Sequence, residues 1–478
     1  MAINKSKGVT RTEELLADLC DRTFLKLWSY PNPIKDDGKE LCDLIAIFNN
    51  NIFIFFDRES FILNKVNIDP FVNWERWKKK VIDAQIKTAK GAERYIKNRG
   101  KIYLDKDLQT PLPINIILDE TEIHKIIVAH GAEKACKNSS DENINGSLAI
   151  SYTNSKLVQP TPFLIYIDKD DPIHIFDSYN LHIILNELDT FYDFTTFLKA
   201  KIKAIKIYDT LSYCGEEDLL AHYFLNYDKS KQEHFIGVKK GNFNDITICE
   251  GEWQNFIKLK QYKMKKKSDE VSYFWDELIQ KTCHHTLEGT LIGDSTPLRG
   301  KSAIHEMAKE PRFFRRIISE HFIDAIRKFP ESSGQFVRYL SYTPSFYENK
   351  GYVFLQIKAL GYHCDKTEYR RRRQAMLEIA CGAAKNKFNN LKTVIGIAID
   401  APKYAEENSE DFILLDCTNW SNEIKIEYEN ANKDLQFFQT ENMSTSKQFT
   451  TEFPNDDNIK TSTIGRNDLC PCGSGKKY

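Results

Sequence analysis

No stretch of this 478-residue chain approaches the roughly eighteen consecutive apolar residues that would make it a candidate membrane-spanning helix. Its first residues lack the basic, apolar and small-residue order of a secretory leader. The expectation is therefore a cytoplasmic protein with reduced thiols and no membrane span. Net charge is −1, from 67 basic and 68 acidic residues. Bulk electrostatics thus exclude a general polyanion binder, and any such role rests on local patches. No internal repeat is visible. The eleven cysteines are scattered, except for two near the C-terminal end. Lone ones such as Cys20, Cys42 and Cys381 are expected as small core residues. What is present is 41% apolar and 12% aromatic residues, the make-up of a folded protein, with length for roughly two to four domains.

Periodicity predicts a helix over Thr10 to Trp28, with Thr12 as N-cap and Leu15, Leu16, Leu19, Phe24 and Leu27 on its apolar face. A Pro/Asp/Gly break at 31–38 precedes two strands, Leu41 to Phe48 and Asn51 to Phe56, joined by asparagines that suit a hairpin turn. A long basic helix follows over Val72 to Lys97, with Trp74, Trp77, Val81 and Ile96 as its apolar part, then a short strand at Ile102 to Leu104. Further strands are expected at Glu122–His130, Phe163–Ile167, Ile173–Asp177, Tyr352–Ile357, Thr393–Ile399 and Phe412–Leu415. A helix is expected over Asp269 to about Cys283. The region 439–464 is rich in Ser, Thr, Asn and Asp, lacks periodicity, and reads as a flexible linker. The fold class is mixed α/β and multidomain, with expected boundaries at 1–110, 111–290, 291–438, 439–464 and 465–478.

The helix–hairpin–helix order of the first block resembles the core of the PD-(D/E)xK nuclease superfamily, above all its small nuclease-related domains. The resemblance implies a restriction-endonuclease-like sheet with flanking helices. Residue by residue, it places Glu13 on the first helix, Asp43 on the first strand, Asp57 and Arg58 at the end of the second, and Gln85 on the long helix. Asp43 and Asp57 would then hold Mg²⁺ or Mn²⁺, which take hard oxygen ligands, activate water and offset charge on the phosphate. The match has a gap. If Arg58 fills the lysine slot, Phe56 falls in the acid slot. If Asp57 fills the acid slot, Glu59 falls in the lysine slot. Arginine is also a poor proton carrier because it stays charged. Glu40 is a substitute carboxylate. The long helix carries Lys78, Lys79, Lys80, Lys87, Lys90, Arg94 and Lys97 among Trp74 and Trp77. This pattern suits a phosphate backbone as well as a solvated helix face.

The last thirteen residues, Arg466 to Tyr478, read R-N-D-L-C-P-C-G-S-G-K-K-Y. They resemble the start of a SEC-C motif, the zinc knuckle at the C-terminus of the bacterial preprotein translocase ATPase. The resemblance implies that Cys470 and Cys472 are zinc ligands. They are half of the four that a closed structural site takes, so a second half would come from elsewhere, including a second chain. It also implies a protein partner docked through this tail.

Other basic and ligand-like runs read as structure. In Tyr369–Arg373, ion pairs with Asp365, Glu368 and Glu378 are expected. Lys258–Lys267 suits nucleic acid or solvent. Ser295 to Ser302, S-T-P-L-R-G-K-S, is one substitution short of a phosphate-binding loop and reads as a turn into a helix. Cys283–His285 places neighbours about 100° apart on a helix, which does not chelate one ion. His124, His130 and His174 are expected as satisfied core or edge residues, and no Ser-His-Asp arrangement can be assembled. Two functions follow. One is a metal-dependent nuclease or nuclease-derived nucleic-acid-binding protein, to which a role in defence against foreign DNA attaches by analogy. The other is a non-enzymatic adaptor recruited through its tail to a ribosome, chaperone or translocase.

Overall fold

The computed structural model describes residues 5–454, apart from 66–67, 99, 115, 117–119, 140–144, 156–159, 240, 242, 289–296, 360–364, 406–408, 440–442 and 446–449. The fold is mixed α/β and divides into two compact units, the first spanning 1–259 with 287–289, the second 260–286 with 290–478.

The first unit starts with α1 (Arg11–Thr23), capped by Thr10, whose hydroxyl accepts from Glu13 N. Thr12, the expected cap, lies inside the first turn, and this frees its hydroxyl for another partner. Then come β1 (Ser29–Pro31), β2 (Ile34–Lys35), β3 (Leu44–Phe48) and β4 (Asn51–Glu59). The β3–β4 hairpin is in register from Leu44↔Phe55 to Phe48↔Asn51. β4 runs three residues beyond the expected Phe56, so Asp57 is a strand residue. The basic helix is two helices, α2 (Pro70–Lys78) and α3 (Ala84–Lys97), joined by a π-helical turn over Lys79–Asp83. Asp69 caps α2, accepting from Phe71 N and Val72 N. The wider turn keeps Trp74, Trp77, Val81, Ile82 and Gln85 all on the buried side.

The chain continues through β5 (Ile102–Tyr103), β6 (Glu122–His130), α4 (Glu133–Ser139), β7 (Ala149–Thr153), β8 (Leu164–Ile167) and β9 (His174–Asp177). The first sheet has the order β1-β3-β4-β6-β9. β4, β6 and β9 run parallel, and β1 and β3 antiparallel. This sheet does not stop at the expected boundary of residue 110, because β6 and β9 pair onto β4. Completing the unit are α5 (Asn180–Glu187), α6 (Phe191–Ile207), β10 (Thr210–Tyr213), α7 (Glu216–Leu225), β11 (Tyr227–Asp228), β12 (Glu233–His234), β13 (Asp245–Ile248) and α8 (Glu252–Phe256). A second sheet has the order β13-β10-β7-β8.

Strand alternation assigns the faces of the first sheet. Phe53 and Phe55 meet Phe24, which follows α1, and Phe24 also packs on Phe191 and Phe194 of α6, with centroids 5.0–6.1 Å apart. His124 stacks on Phe53 on this same face. Lys125 points the other way, to Glu93 of α3 and Asp171, at 2.5 Å each. α1 and α3 therefore cover opposite faces.

The second unit opens with α9 (Lys260–Asp269), α10 (Tyr273–Glu288), α11 (Pro297–Ala308) and α12 (Arg312–Arg327), followed by β14 (Phe336–Pro344), β15 (Lys350–Ala359), α13 (Lys366–Lys387), β16 (Thr393–Asp400), β17 (Glu410–Asp416) and α14 (Asn422–Ala431). Its sheet has the order β14-β15-β16-β17, with β15 and β16 parallel. Alternation again splits β15. Tyr352 and Phe354 meet Trp275 and Phe322, at 5.1 and 4.3 Å. Val353, Leu355 and Ile357 share a core with Leu377, Ala380, Cys381 and Ala384 of α13. Close approach requires Gly396 on β16, where a Cβ would stand 2.7 Å from Cys381 Sγ. The described part of Ser295–Ser302 is helical from Pro297, as a turn into a helix requires. Cys283–His285 lies within α10, which runs to Glu288.

Phe24 joins α1, the first sheet and α6 and has no exposed surface. Phe24→Ala is expected to cost about 3–5 kcal/mol of stability, read as a lowered urea midpoint. Phe61→Ala, at a side chain 62% exposed, is expected to stay within about 0.5 kcal/mol.

Candidate functional site

The side chains that carry chemistry gather at the carboxyl ends of β4, β6 and β9, where parallel strands of open sheets commonly leave a ligand crevice. Asp57 is almost fully buried on β4, and a buried carboxylate needs partners. It accepts from Thr12 Oγ1 of α1 at 2.5 Å and is hydrogen-bonded to His130 Nε2 at the end of β6, at 2.9 Å. His130 Nδ1 lies 2.9 Å from Ser178 Oγ, just past β9. With Nε2–H donating to Asp57, a neutral ring presents Nδ1 as acceptor to the serine hydroxyl. The structure thus assembles the Ser-His-Asp chain that the sequence did not show. The neighbouring amides of Tyr179 and Asn180 both donate to Asp177 Oδ1 at 2.9 Å, so they are not turned toward Ser178 to stabilise an oxyanion.

Asp43 sits immediately before β3. Its Oδ2 accepts from Asp57 N at 2.6 Å. Burial pushes its carboxyl up to about 7, helped by the charges of Glu13, Glu40 and Asp57 and opposed by the Asp57 amide. Glu13 and Glu40 share one partner, since Asn32 Nδ2 donates to Glu13 Oε2 at 3.1 Å and to Glu40 Oε1 at 2.7 Å. Glu13 also accepts from Val9 N and Thr10 Oγ1, which makes it part of the α1 cap. Glu13, Glu40 and Asp57 are therefore near enough to Asp43 to act on its carboxyl.

Other expected participants lie elsewhere. Arg58 is exposed and, by alternation, faces away from Asp57, so no cation fills the lysine slot. Gln85 is buried on α3, on the opposite face of the sheet. Trp74 and Trp77 are not available to stack on bases. They stack on each other in the interior, 5.5 Å apart, and Trp77 Nε1 donates to His130 O. Lys78 pairs with Asp83 at 3.0 Å, and Lys90 with Asp171 at 2.7 Å. Lys79, Lys80, Lys87 and Arg94 are exposed and form the solvated face of α2, the π turn and α3. In the second unit, Arg370 and Arg373 do not pair with the acids expected for them. They bind Asp411 at 2.8 and 2.7 Å, and Arg373 also binds Asp400. Arg372 pairs with Glu368 as expected. Lys265, in the basic run, is buried against Asp269 at 2.6 Å.

The donor set at Asp43 and Asp57 consists of hard carboxylate oxygens. Mg²⁺ takes donors of this type, commonly one or two protein carboxylates with several waters, and both Asp57 oxygens are already hydrogen-bonded, to Thr12 and to His130. Among the described residues no three His, Cys, Asp or Glu side chains are grouped to hold one metal ion, and a thiolate-type zinc site is absent there. Cys470 and Cys472 lie outside the described residues.

A family model, the SEC-C motif, matches residues 466–478. The protein contains a SEC-C motif. The match covers only the tail, and no family match falls on the first block. Neither the curated proteins nor the solved structures compared with the chain gave a match. No helix among the described residues is long and apolar enough to cross a membrane.

The raised Asp43 carboxyl has a definite sign. Between about pH 4 and 7 the folded protein holds a proton that the unfolded chain has released, so stability falls as pH rises through this window. Asp177 and Asp218, both pushed to about 6 by burial, act in the same direction. In EDTA, Asp43→Asn is expected to flatten part of the decline in urea midpoint between pH 5 and 7.5. Its share is bounded by roughly 4 kcal/mol, at 1.4 kcal/mol per unit. An unchanged slope would show that Asp43 titrates normally.

Proposed function

We propose that the acidic end of the first sheet makes this protein a metal-dependent nuclease, or a nuclease-derived nucleic-acid-binding protein. The observation that supports this reading is the junction of Asp43 and Asp57, with Glu13 and Glu40 close enough to help raise the Asp43 carboxyl to about 7. Such a local excess of carboxylate is relieved by a divalent cation. Asp43 and Asp57 are the residues that would hold Mg²⁺ or Mn²⁺. When bound, the cation would activate water and offset charge on a phosphodiester. His130 bridges Asp57 and Ser178. Lys79, Lys80, Lys87 and Arg94 supply phosphate-backbone contacts from the other face of the sheet, away from the reacting group.

The SEC-C match favours a second reading, a non-enzymatic adaptor whose tail docks to a protein partner and whose Cys470 and Cys472 contribute to a zinc site. The two readings separate in one experiment. Purified protein is incubated with linear DNA, plasmid and RNA, with Mg²⁺ or Mn²⁺ or with EDTA. The expected outcome is metal-dependent cleavage that falls to background in Asp43→Ala and persists after removal of residues 466–478. Absence of cleavage with every substrate and metal, or undiminished cleavage by Asp43→Ala, would reject the nuclease reading. Loss of partner binding on tail removal would favour the adaptor.

A further inference from the structure

The second sheet carries a feature that neither reading uses. β10 and β13 are adjacent and parallel, in register from Thr210↔Asp245 to Tyr213↔Ile248. The next residue on each strand is a cysteine, Cys214 and Cys249. Alternation puts both on the same side as Ser212 and Thr247, the open side of the strands, while Leu211, Tyr213, Ile246 and Ile248 are buried. Cys249 is exposed and Cys214 half-buried, whereas Cys20, Cys42, Cys136, Cys283, Cys381 and Cys417 are buried. Among the described residues these are the accessible thiols, and they sit side by side.

Neighbouring strands lie about 4.8 Å apart, and a disulfide spans Cα separations of about 4.4–6.8 Å. Beyond the cysteines each strand enters a glycine-containing turn and then a helix, α7 or α8. Asp218 of α7 ties the two turns together, accepting from Gly251 N at 3.3 Å and Trp253 N at 2.8 Å. The backbones on which the cysteines sit are thus held side by side before any bond forms.

We infer that Cys214 and Cys249 are a redox-responsive thiol pair, which a hydroperoxide converts to a disulfide across the ends of β10 and β13. The exposed Cys249 reacts first. Its thiolate attacks the peroxide oxygen, the O–O bond breaks, and a sulfenic acid forms as the alcohol or water leaves. Cys214 then attacks that sulfur. The S–S bond forms, the S–O bond breaks, and the Cys214 proton leaves with the hydroxyl as water. Two electrons pass from the thiol pair to the peroxide. Burial, with Asp218, Glu250 and Cys249 nearby, pushes the Cys214 thiol up, so its attack is expected to be the slower step and to quicken with pH.

The test uses the full chain with Cys470 and Cys472 replaced by serine, beside the unaltered chain. Each is treated with a small excess of hydrogen peroxide, digested without reduction and mapped by mass spectrometry. The expected result is a Cys214–Cys249 cross-linked peptide in most chains of both proteins, removed by dithiothreitol. In Cys214→Ser the sulfenic acid at Cys249 should persist and react with dimedone. Circular dichroism before treatment confirms that each variant is folded. Oxidation of Cys249 to sulfinic acid with Cys214 still reduced, or a link from Cys249 to any other cysteine, would overturn the inference.

Discussion

The buried carboxylate of Asp57 is the interaction on which the acidic end of the first unit depends. One side chain meets the first turn of α1 through Thr12 and the end of β6 through His130, and the imidazole carries the connection to the turn after β9. The Asp57 amide fixes Asp43 at the head of β3. Four elements distant in sequence are therefore held at one point by polar contacts. Such a junction is costly to break, since leaving one member of a buried hydrogen-bonded pair without its partner costs about 1–3 kcal/mol, and more where that member is charged. It is also where negative charge accumulates, so stability and chemistry meet in the same residues.

The second unit uses buried charge differently. Arg373 lies between Asp400 and Asp411, Arg315 against Asp276, Arg316 against Asp269, and Lys350 against Glu306 and Glu310. Each cation has a carboxylate, so these networks neutralise themselves and pin helices to one another and to the sheet. At Asp43 and Asp57, among the described residues, four carboxylates are met by one histidine, two hydroxyls and amides. That imbalance separates a candidate cation site from a structural network.

Much of the local structure was legible. The runs that became β3, β4, β6, β15 and β16 are apolar and β-branched or aromatic, and local pattern sufficed to find them. The hairpin and the helices around it were readable for the same reason. Long-range pairing was not. Nothing in 111–290 marks β6 and β9 as partners of β4, and the boundary expected at 110 cuts through the sheet. The four-residue strands β10 and β13 are too short to stand out. β14 reads F-V-R-Y-L-S-Y-T-P, and its alternation was available as a signal. The chain from Asp57 to His130 to Ser178 spans 73 and then 48 residues, so spacing gave no hint. The one local clue was a histidine closing a long apolar strand. The apolar part of the basic helix, Trp74, Trp77, Val81 and Ile96, was readable and is buried, whereas the π turn that divides the helix leaves no sequence mark.

The proposed function requires Asp43 and Asp57 to hold a hard divalent cation at the end of the first sheet. Titration of the metal-free full-length protein with Mn²⁺, followed by electron paramagnetic resonance, tests it most directly, because Mn²⁺ prefers carboxylates to the thiolates of the tail. The account predicts saturable binding that is lost in Asp43→Ala and retained when Cys470 and Cys472 are serine. Binding that survives Asp43→Ala, or none at millimolar Mn²⁺, would contradict it.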